Sequence, residues 1–267
     1  MLDPPAEIVR RHDPDRFLTA LFAPAERRAA LFALYAFNHE LARAREVASE
    51  PTLALIRLHW WREVAEGAER RHEVATPLRA AIADGLLARD DMLALIEARE
   101  IEADPAIPTC AAWRDYLLRG AGGLAVAAGR LLGAPDPETL RPLGAAYGAA
   151  GALRSIRALA AQRRCLLPAD LLAAHKLTPE GVVLKPDGPA LRPVVAELVA
   201  EAKALLAEAR GAKPPRGAIA AALPAVLAAR DLRRIAAGEA GAAGPRGLGD
   251  RLAVMLAGMT GRLPQLG

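Results

Sequence analysis

The chain has 267 residues, of which 53% are hydrophobic, 4% are aromatic and 25% are charged, and its formal net charge is +4. This small positive charge, with no basic block interleaved with aromatic residues, does not indicate a nucleic-acid-binding protein. Cys110 and Cys165 form no CxxC pair and no cluster with histidine, which argues against a metal framework, and we expect both to be buried, reduced thiols.

The first part of the chain carries strong helix signals. Much of the hydrophobic content is alanine, the best helix former, so the composition predicts an all-α fold. Asp13-Pro14 is typical of a helix N-cap followed by a first turn. Ser49-Glu50-Pro51 predicts a second start, for a helix over 52–70. Between them, in segment 23–48, apolar residues recur near helical spacing: Leu31, Leu34, Tyr35, Phe37 and Leu41.

The rest of the chain continues this helical pattern. Further helices, with 136–164 the longest, are predicted over 76–90, 90–104, 109–134, 136–164, 190–210, 216–239 and 247–263. The segment "GVVLKP" at 181–186 is the only weak strand candidate, and Gly238 to Gly249 is predicted to be a loop. We therefore predict one helical domain over residues 1–267.

Glycines are spaced regularly in the long helical segment. Gly144, Gly148 and Gly151 follow one another at intervals of four and three residues. Small residues at this spacing lie on one helix face, so we expect a neighbouring helix to pack closely there.

Targeting signals are absent from the sequence. No window provides about 18 uncharged apolar residues, as a transmembrane helix requires. The segment "MLDPPAEIVRRHDPDRF" lacks the apolar core of a secretory signal. We therefore expect a cytoplasmic protein that contacts the inner membrane face peripherally.

One long segment, from Thr139 to Ala169, contains no aspartate and no glutamate, although a quarter of the chain is charged. The segment is nevertheless rich in arginine: it contains Arg141, Arg154, Arg157, Arg163 and Arg164. A run that excludes carboxylates in this way is unexpected in a chain where acids nearly balance bases.

Several segments, in their order and spacing, resemble the squalene/phytoene synthase family. They are "ALYAF" (33–37), "LHWWREVAEG" (58–67), "LIEAREIEA" (95–103), "YLLRGAGGLAVAAGRLLG" (116–133) and "LGAAYGAAGALRSIRALAAQRRCLLPADLLAAHKL" (143–177). The resemblance covers most of residues 15–180. It implies an all-α, isoprenoid-synthase-like bundle of helices around a central apolar cavity.

The resemblance also implies where a metal site would stand. Prenyl synthases ionise an allylic diphosphate, and Mg²⁺ neutralises the leaving pyrophosphate. The family supplies oxygen ligands from two DxxxD motifs, whose spacing places both acids on one helix face. Here the first motif falls on Ala42 and Glu46, and the second falls on Ser155 and Leu159. With one acid remaining, the resemblance implies no catalytic residue, no metal and no cofactor.

An active synthase with unusual metal ligation is the alternative, and it would require Mg²⁺. Glu40, Glu46 and Glu50 are the nearest acids for a replacement site. Their intervals of six and four residues do not bring all three together on a helix.

A metal-free pocket for an anion or another ligand is a further interpretation. Its candidate residues are Tyr35, Asn38, His39, Arg154 and Arg157. Guanidinium groups bind phosphate well. The competing interpretation for Arg154 is an ion pair with Glu46.

Within the family, the chain resembles a catalytically degenerate branch, that of the mitochondrial complex I assembly factor 6 and its bacterial relatives. The segments "AFNHEL", "VASEP" and "QRRCLLPADLLAAH" carry this resemblance. It implies a pseudoenzyme that takes part in building respiratory complex I, with complex I subunits or assembly intermediates as partners. A prenyl lipid or quinone in the apolar cavity is a second implied partner.

Overall fold

The computed structural model describes residues 3–46, 50–104, 106–238 and 246–264. These residues form an all-α fold, which confirms the predicted fold class. Within the described ranges no strand forms, and an isolated parallel bridge joins Ile107 to Pro168.

In the first half of the chain the α-helices are α1 (Pro4–His12), α2 (Pro14–Ala20), α3 (Ala25–Glu46), α4 (Pro51–Glu66), α5 (Ala75–Ala83), α6 (Arg89–Glu100), α7 (Cys110–Leu117) and α8 (Gly123–Leu131). In the second half they are α9 (Arg141–Arg154), α10 (Ile156–Ala161), α11 (Ala169–Ala174), α12 (Pro179–Leu184), α13 (Leu191–Glu208), α14 (Ile219–Ala222), α15 (Pro224–Ala236) and α16 (Leu248–Thr260). A π-helix, Leu118–Gly122, joins α7 to α8, and 3-10 turns occur at Ile101–Ala103, Pro137–Leu140, Ala209–Gly211 and Arg216–Ala218.

Side-chain caps begin several helices. The Asp13 carboxylate accepts a hydrogen bond from the Arg16 backbone N–H at 3.0 Å, and proline occupies the first turn of α2, as predicted. The Thr178 hydroxyl caps α12 in the same way, accepting from the Gly181 N–H at 3.1 Å. The strand considered for 181–186 is therefore wrong, because this Thr-Pro start outweighs two valines.

Helix α3 runs through the main hydrophobic core. Its apolar residues at helical spacing are buried, and it packs against α1, α4, α5 and α8. Because α3 is held on several sides, the polar side chains near its C-terminal end are presented from a fixed backbone.

Glycines bring α9 very close to the π-helix. A Cβ atom on Gly144 would lie 2.4 Å from the Ala121 carbonyl oxygen, and one on Gly148 would lie 2.6 Å from Ala121 Cβ. Both distances are too short for a real side chain. A Cβ on Gly151 would meet nothing within 4 Å, because this glycine borders an open cavity.

The segment predicted as the longest helix, 136–164, is broken at Ser155. The Ser155 N–H bonds to the carbonyls of both Gly151 and Ala152, which tightens and ends α9. Helix α10 then turns to pack against α12. The longest described helix is instead α3, with 22 residues. Tertiary packing has overridden a helical pattern that looked continuous.

The cysteines differ from each other. Cys165 is buried, as predicted, whereas Cys110 is exposed. Cys110 begins α7 at the protein surface, where its backbone N–H is bound by the Asp170 carboxylate at 3.0 Å. The expectation of two buried thiols is therefore wrong for Cys110.

Two predicted features fall partly outside the described residues. Ser49 of the predicted helix start is one, although α4 does begin at Pro51 with Glu50 as its N-cap. The predicted loop from Gly238 to Gly249 is the other, since 239–245 are not described. No helix of the described ranges is long and apolar enough to cross a membrane.

Candidate functional site

A cavity of about 490 Å³ lies between the C-terminal parts of α3 and α9. The positions of both motifs line it: Ala42 and Glu46 from α3, Ser155 from the break after α9, and Leu159 from α10. The structure therefore brings together four positions that are far apart in the sequence. Residues of α1, α2, α6, α7, the π-helix and α15 complete the wall.

The cavity wall is charged, which differs from the apolar cavity implied by the resemblance. Four arginines and four carboxylates line it: Arg16, Arg99, Arg154, Arg164, Asp13, Glu46, Glu102 and Asp231. Deeper in the fold, an apolar pocket between α8, α9 and α15 has a volume of only about 10 Å³. That is roughly the space of one water molecule, so this pocket by itself could not hold a prenyl chain.

Glu102 is the centre of the first buried ion cluster. Its carboxylate accepts hydrogen bonds from Arg99 at 2.6 Å, Arg164 at 2.6 Å and the Tyr116 hydroxyl at 2.7 Å. Burial would raise the pKa of Glu102, but the charges of Arg99 and Arg164 outweigh it and hold the pKa below the usual range. Glu102 therefore stays ionised, with its oxygens already bound.

Asn38 supports this cluster from α3. Its side-chain oxygen accepts a hydrogen bond from Arg99 at 3.1 Å. Asn38 is buried and lines the cavity. Its observed role is to orient an arginine.

Asp231 is the centre of the second cluster, on α15. Its carboxylate oxygens form ion pairs with guanidinium nitrogens of Arg154, at 3.3 Å, and of Arg246, at 2.5 Å. Arg246 also binds Asp15 at 2.7 Å, and the Tyr147 hydroxyl donates to Asp15 at 3.1 Å. The cluster thus ties α2, α9 and α15 to the residue just before α16.

Arg154 does not form the ion pair considered for it with Glu46. Its guanidinium pairs instead with Asp231 on α15, a helix that carries neither of the two motifs. Glu46 is exposed at the cavity and forms no ion pair with any described residue.

Arg16 forms the third charged group of the wall. It binds Asp13 at 2.7 Å, and its guanidinium lies over the rings of Tyr147, at 4.8 Å, and Tyr35, at 5.7 Å. Tyr35 is buried and lines the small apolar pocket rather than the cavity. Tyr35, a candidate site residue, therefore packs against Arg16 on the side of the small apolar pocket.

His39 lines the cavity and stacks on His12, with ring centroids 4.4 Å apart. Burial lowers the pKa of His39, and the neighbouring His12 lowers it further, so the ring is neutral near pH 7. Its Nε2 atom is buried without a hydrogen-bond partner.

Arg157, like Tyr35, is a predicted site residue that does not line the cavity. It is exposed, pairs with Asp187 and borders a separate groove of about 440 Å³ between α10 and α13. Arg157 lies on α10 after the turn of the chain at Ser155, and although Leu159 of the same helix lines the cavity, Arg157 does not.

The residues of the cavity do not fit a Mg²⁺ cluster. Each Mg²⁺ ion needs several oxygen ligands in near-octahedral geometry. Asp13, Glu102 and Asp231 are each bound to arginine, which leaves Glu46 and the Ser155 hydroxyl. Among the described residues, no three acidic, histidine or cysteine side chains are placed to share a metal ion.

The replacement site considered from Glu40, Glu46 and Glu50 does not assemble. Glu40 pairs with Arg43 at 3.0 Å and does not line the cavity, and Glu50 is the N-cap of α4. Sequence reasoning missed Glu102, Asp231 and Arg246. The sequence did contain a signal for Asp231, because an acidic residue within the apolar run of α15 is expected to need a partner.

Comparison with known proteins adds a family and a set of relatives. The family model for squalene/phytoene synthase matches residues 9–253. Among curated proteins, the chain is similar to NADH dehydrogenase (ubiquinone) complex I, assembly factor 6. The bovine protein (Bos taurus) is 28% identical over 212 residues, or 76% of this chain, and the human protein (Homo sapiens) is 26% identical over the same length. The chain spans about 64% of the length of both relatives.

Solved structures show the same fold. A dehydrosqualene synthase in complex with ligand has a TM-score of 0.77 and 15% identity, with 96% of this chain and 94% of that chain covered. The squalene synthase HpnC from Alicyclobacillus acidocaldarius has a TM-score of 0.63 and 21% identity, with 96% and 92% covered.

Proposed function

The chain belongs to the squalene/phytoene synthase family, and from this premise we propose that it is a non-catalytic member that serves respiratory complex I as an assembly or interaction factor. The similarity to proteins named complex I assembly factor 6 supports the partner. The geometry of the cavity supports the absence of synthase chemistry.

The observation that carries the proposal is the pairing of the cavity carboxylates with arginine. Glu102 and Asp231 are buried; two guanidinium groups hold Glu102, and three hold Asp231. A metal ion would have to displace these groups and leave buried arginines without a counter-charge, which is costly. The arginines thus occupy the oxygens that a Mg²⁺ site would need.

The same pairing weakens the case for diphosphate binding without metal. The four arginines and four carboxylates of the wall cancel in formal charge. A diphosphate would find guanidinium groups whose hydrogen bonds already go to carboxylates. The proposal therefore includes no allylic diphosphate as substrate.

An active synthase with atypical ligation is the second candidate. It is favoured by Glu46, which retains an unpaired carboxylate at the cavity, and by a cavity volume that suits a small ligand. The two candidates predict opposite results in one assay.

The biochemical test measures pyrophosphate release from farnesyl diphosphate with Mg²⁺. We expect release no faster than in a protein-free control. Glu46→Gln is the informative variant, and Glu40→Gln, outside the cavity, is its matched control. Metal-dependent turnover that Glu46→Gln abolishes and Glu40→Gln retains would establish the synthase.

The cellular test is deletion of the gene in its source organism. We expect lower NADH:quinone oxidoreductase activity, restored by the wild-type gene and also by Glu46→Gln, with unchanged isoprenoid content. Normal oxidoreductase activity together with a missing isoprenoid product would contradict the proposal.

A further inference from the structure

Helix α16 is apolar on two opposite sides. Its inner side packs Val254 and Ala257 into a small core with α14 and α15, and Gly258 lies directly against the Phe22 ring. A Cβ on Gly258 would lie 2.4 Å from that ring. The inner side is therefore fully used by the fold.

The outer side carries a second set of large apolar side chains that nothing in the described structure covers. These side chains, which we call the apolar stripe, are between 40% and 78% exposed: Leu248, Leu252, Met255, Leu256 and Met259. Their intervals of four, three, one and three residues place them on one face of the helix.

The charges around the apolar stripe have one sign. Arg251 lies three residues after Leu248 and four before Met255, so helical spacing places it on the same face as the apolar stripe. Arg262 follows the end of the helix, and both arginines are exposed. Arg216, exposed beside the same end, donates a hydrogen bond to the Met259 carbonyl at 3.0 Å. The only acid of the helix, Asp250, is buried and held by Arg230 and Arg234.

We propose that the apolar stripe is a docking surface for an anionic lipid bilayer, with α16 lying parallel to the membrane plane. Leucine and methionine side chains would enter the boundary between headgroups and acyl chains, while Arg251 and Arg262 reach the anionic headgroups. The helix has 13 residues, or about 20 Å, which is too short for a hydrocarbon core of about 30 Å. The geometry thus fits a helix on the surface of the membrane.

A second copy of the chain fits the apolar stripe less well. In a two-fold symmetric pair the same surface faces itself, so Arg251 of each copy would approach its counterpart without a carboxylate on the helix to neutralise it. An anionic bilayer removes this repulsion and supplies the missing negative charge. The inference does not depend on the function proposed above.

The stripe is presented by a rigid base. Arg246, two residues before α16, binds Asp15 and Asp231. Asp250, in the first turn, binds Arg230 and Arg234 on α15. Docking therefore needs no ordering of the helix, which lowers its entropic cost.

The test is co-sedimentation of the full chain with vesicles of phosphatidylcholine alone or with about one third phosphatidylglycerol. We expect binding to the anionic vesicles that weakens as salt rises. Leu252→Ser/Leu256→Ser should lower the partition coefficient by about tenfold or more, because two apolar side chains no longer enter the bilayer. Leu55→Ser/Leu184→Ser removes two exposed leucines from α4 and α12 and should leave binding unchanged.

Arg251→Glu/Arg262→Glu isolates the electrostatic part. It should reduce binding to anionic vesicles by about tenfold and leave the weak binding to neutral vesicles unaffected. Circular dichroism establishes that each variant is folded. Equal binding by wild type and Leu252→Ser/Leu256→Ser, or no binding by wild type, would overturn the proposal. A dimer that this variant converts to a monomer would assign the stripe to a second copy and would overturn it as well.

Discussion

At the scale of single residues, the cavity is defined by carboxylates that arginines hold. Glu102 shows this most clearly, because the side chains of Glu102 and Arg164 are both almost completely buried. Charges buried in this way are stable only as a set, since removing one partner leaves the other uncompensated.

Glu102→Gln should therefore destabilise the fold by about 3 kcal/mol, because Arg99 and Arg164 lose their shared counter-charge. Urea unfolding measures the change. Glu7→Gln, at a surface pair with Arg10, is the control and should change stability far less, because solvent screens that pair. If Glu102→Gln lowered stability as little as the control variant does, the Glu102 cluster would be exposed to solvent.

The ionisation of Asp250 makes the stability of the fold depend on pH. Burial raises its pKa, but hydrogen bonds from Arg234 and Arg230 outweigh this and lower the pKa from 3.8 to about 2. A lowered pKa in the folded state stabilises the fold above the unfolded pKa, and this contribution is lost as pH falls from about 4 to about 2. The stability difference between wild type and Asp250→Asn should shrink across that window, as urea midpoints at several pH values would show. A difference that stays constant with pH would contradict the assignment.

At the scale of helices, contact between α9 and the π-helix decides the shape of the interior. The contact is close enough to exclude a Cβ at Gly144 and Gly148, and it leaves only the small apolar pocket beneath. The same helix ends at Ser155, and α10 then packs against α12. The wall of the cavity is therefore built by one tightly packed helix and its abrupt end.

Gly144→Ala should destabilise the fold by about 2 kcal/mol, because the new methyl group would lie 2.4 Å from the backbone oxygen of Ala121. Gly151→Ala is the matched control on the same helix. Nothing lies within 4 Å of its Cβ position, so alanine should stabilise the helix by roughly 0.5–1 kcal/mol. Thermal unfolding of both variants distinguishes the two effects, and a stabilising Gly144→Ala would refute the close approach.

At the scale of the whole molecule, Arg246 joins the two ends of the chain. It binds Asp15 in α2, 231 positions earlier, and Asp231 in α15. The side chains of all three residues are largely buried. One guanidinium thus anchors α16 to the wall of the cavity.

Arg246→Ala should cost about 3 kcal/mol, because Asp15 and Asp231 lose a shared counter-charge. Amide hydrogen exchange should also become faster in α16 than in α3, since α16 loses its anchor. Arg157→Ala removes an exposed ion pair and is the control, because it should change the stability of the fold little. Uniform exchange across the molecule in Arg246→Ala would argue against a local anchor.

The helical fold class and most helix starts could be predicted from the amino-acid sequence alone. Helix formation depends on contacts between residues a few positions apart, so spacing and caps such as Asp13 are readable along the chain. Helices α1 and α11 were not predicted from the sequence, and the break at Ser155 and the start of α12 were also missed. Packing between α10 and α12 decided the break, and an overlooked Thr178 cap decided the start of α12.

Only the tertiary structure decided what the arginines do. The carboxylate-free segment suggested a positive site, but two of its arginines pair with carboxylates that are far away in the sequence. Arg164 meets Glu102, 62 positions away, and Arg154 meets Asp231, 77 positions away. The energy of an ion pair depends on distance in space and on burial, and neither is encoded in local spacing. For that reason the sequence could only predict which positions correspond to metal motifs, whereas the charged cavity that Ala42, Glu46, Ser155 and Leu159 line became visible only in the folded chain.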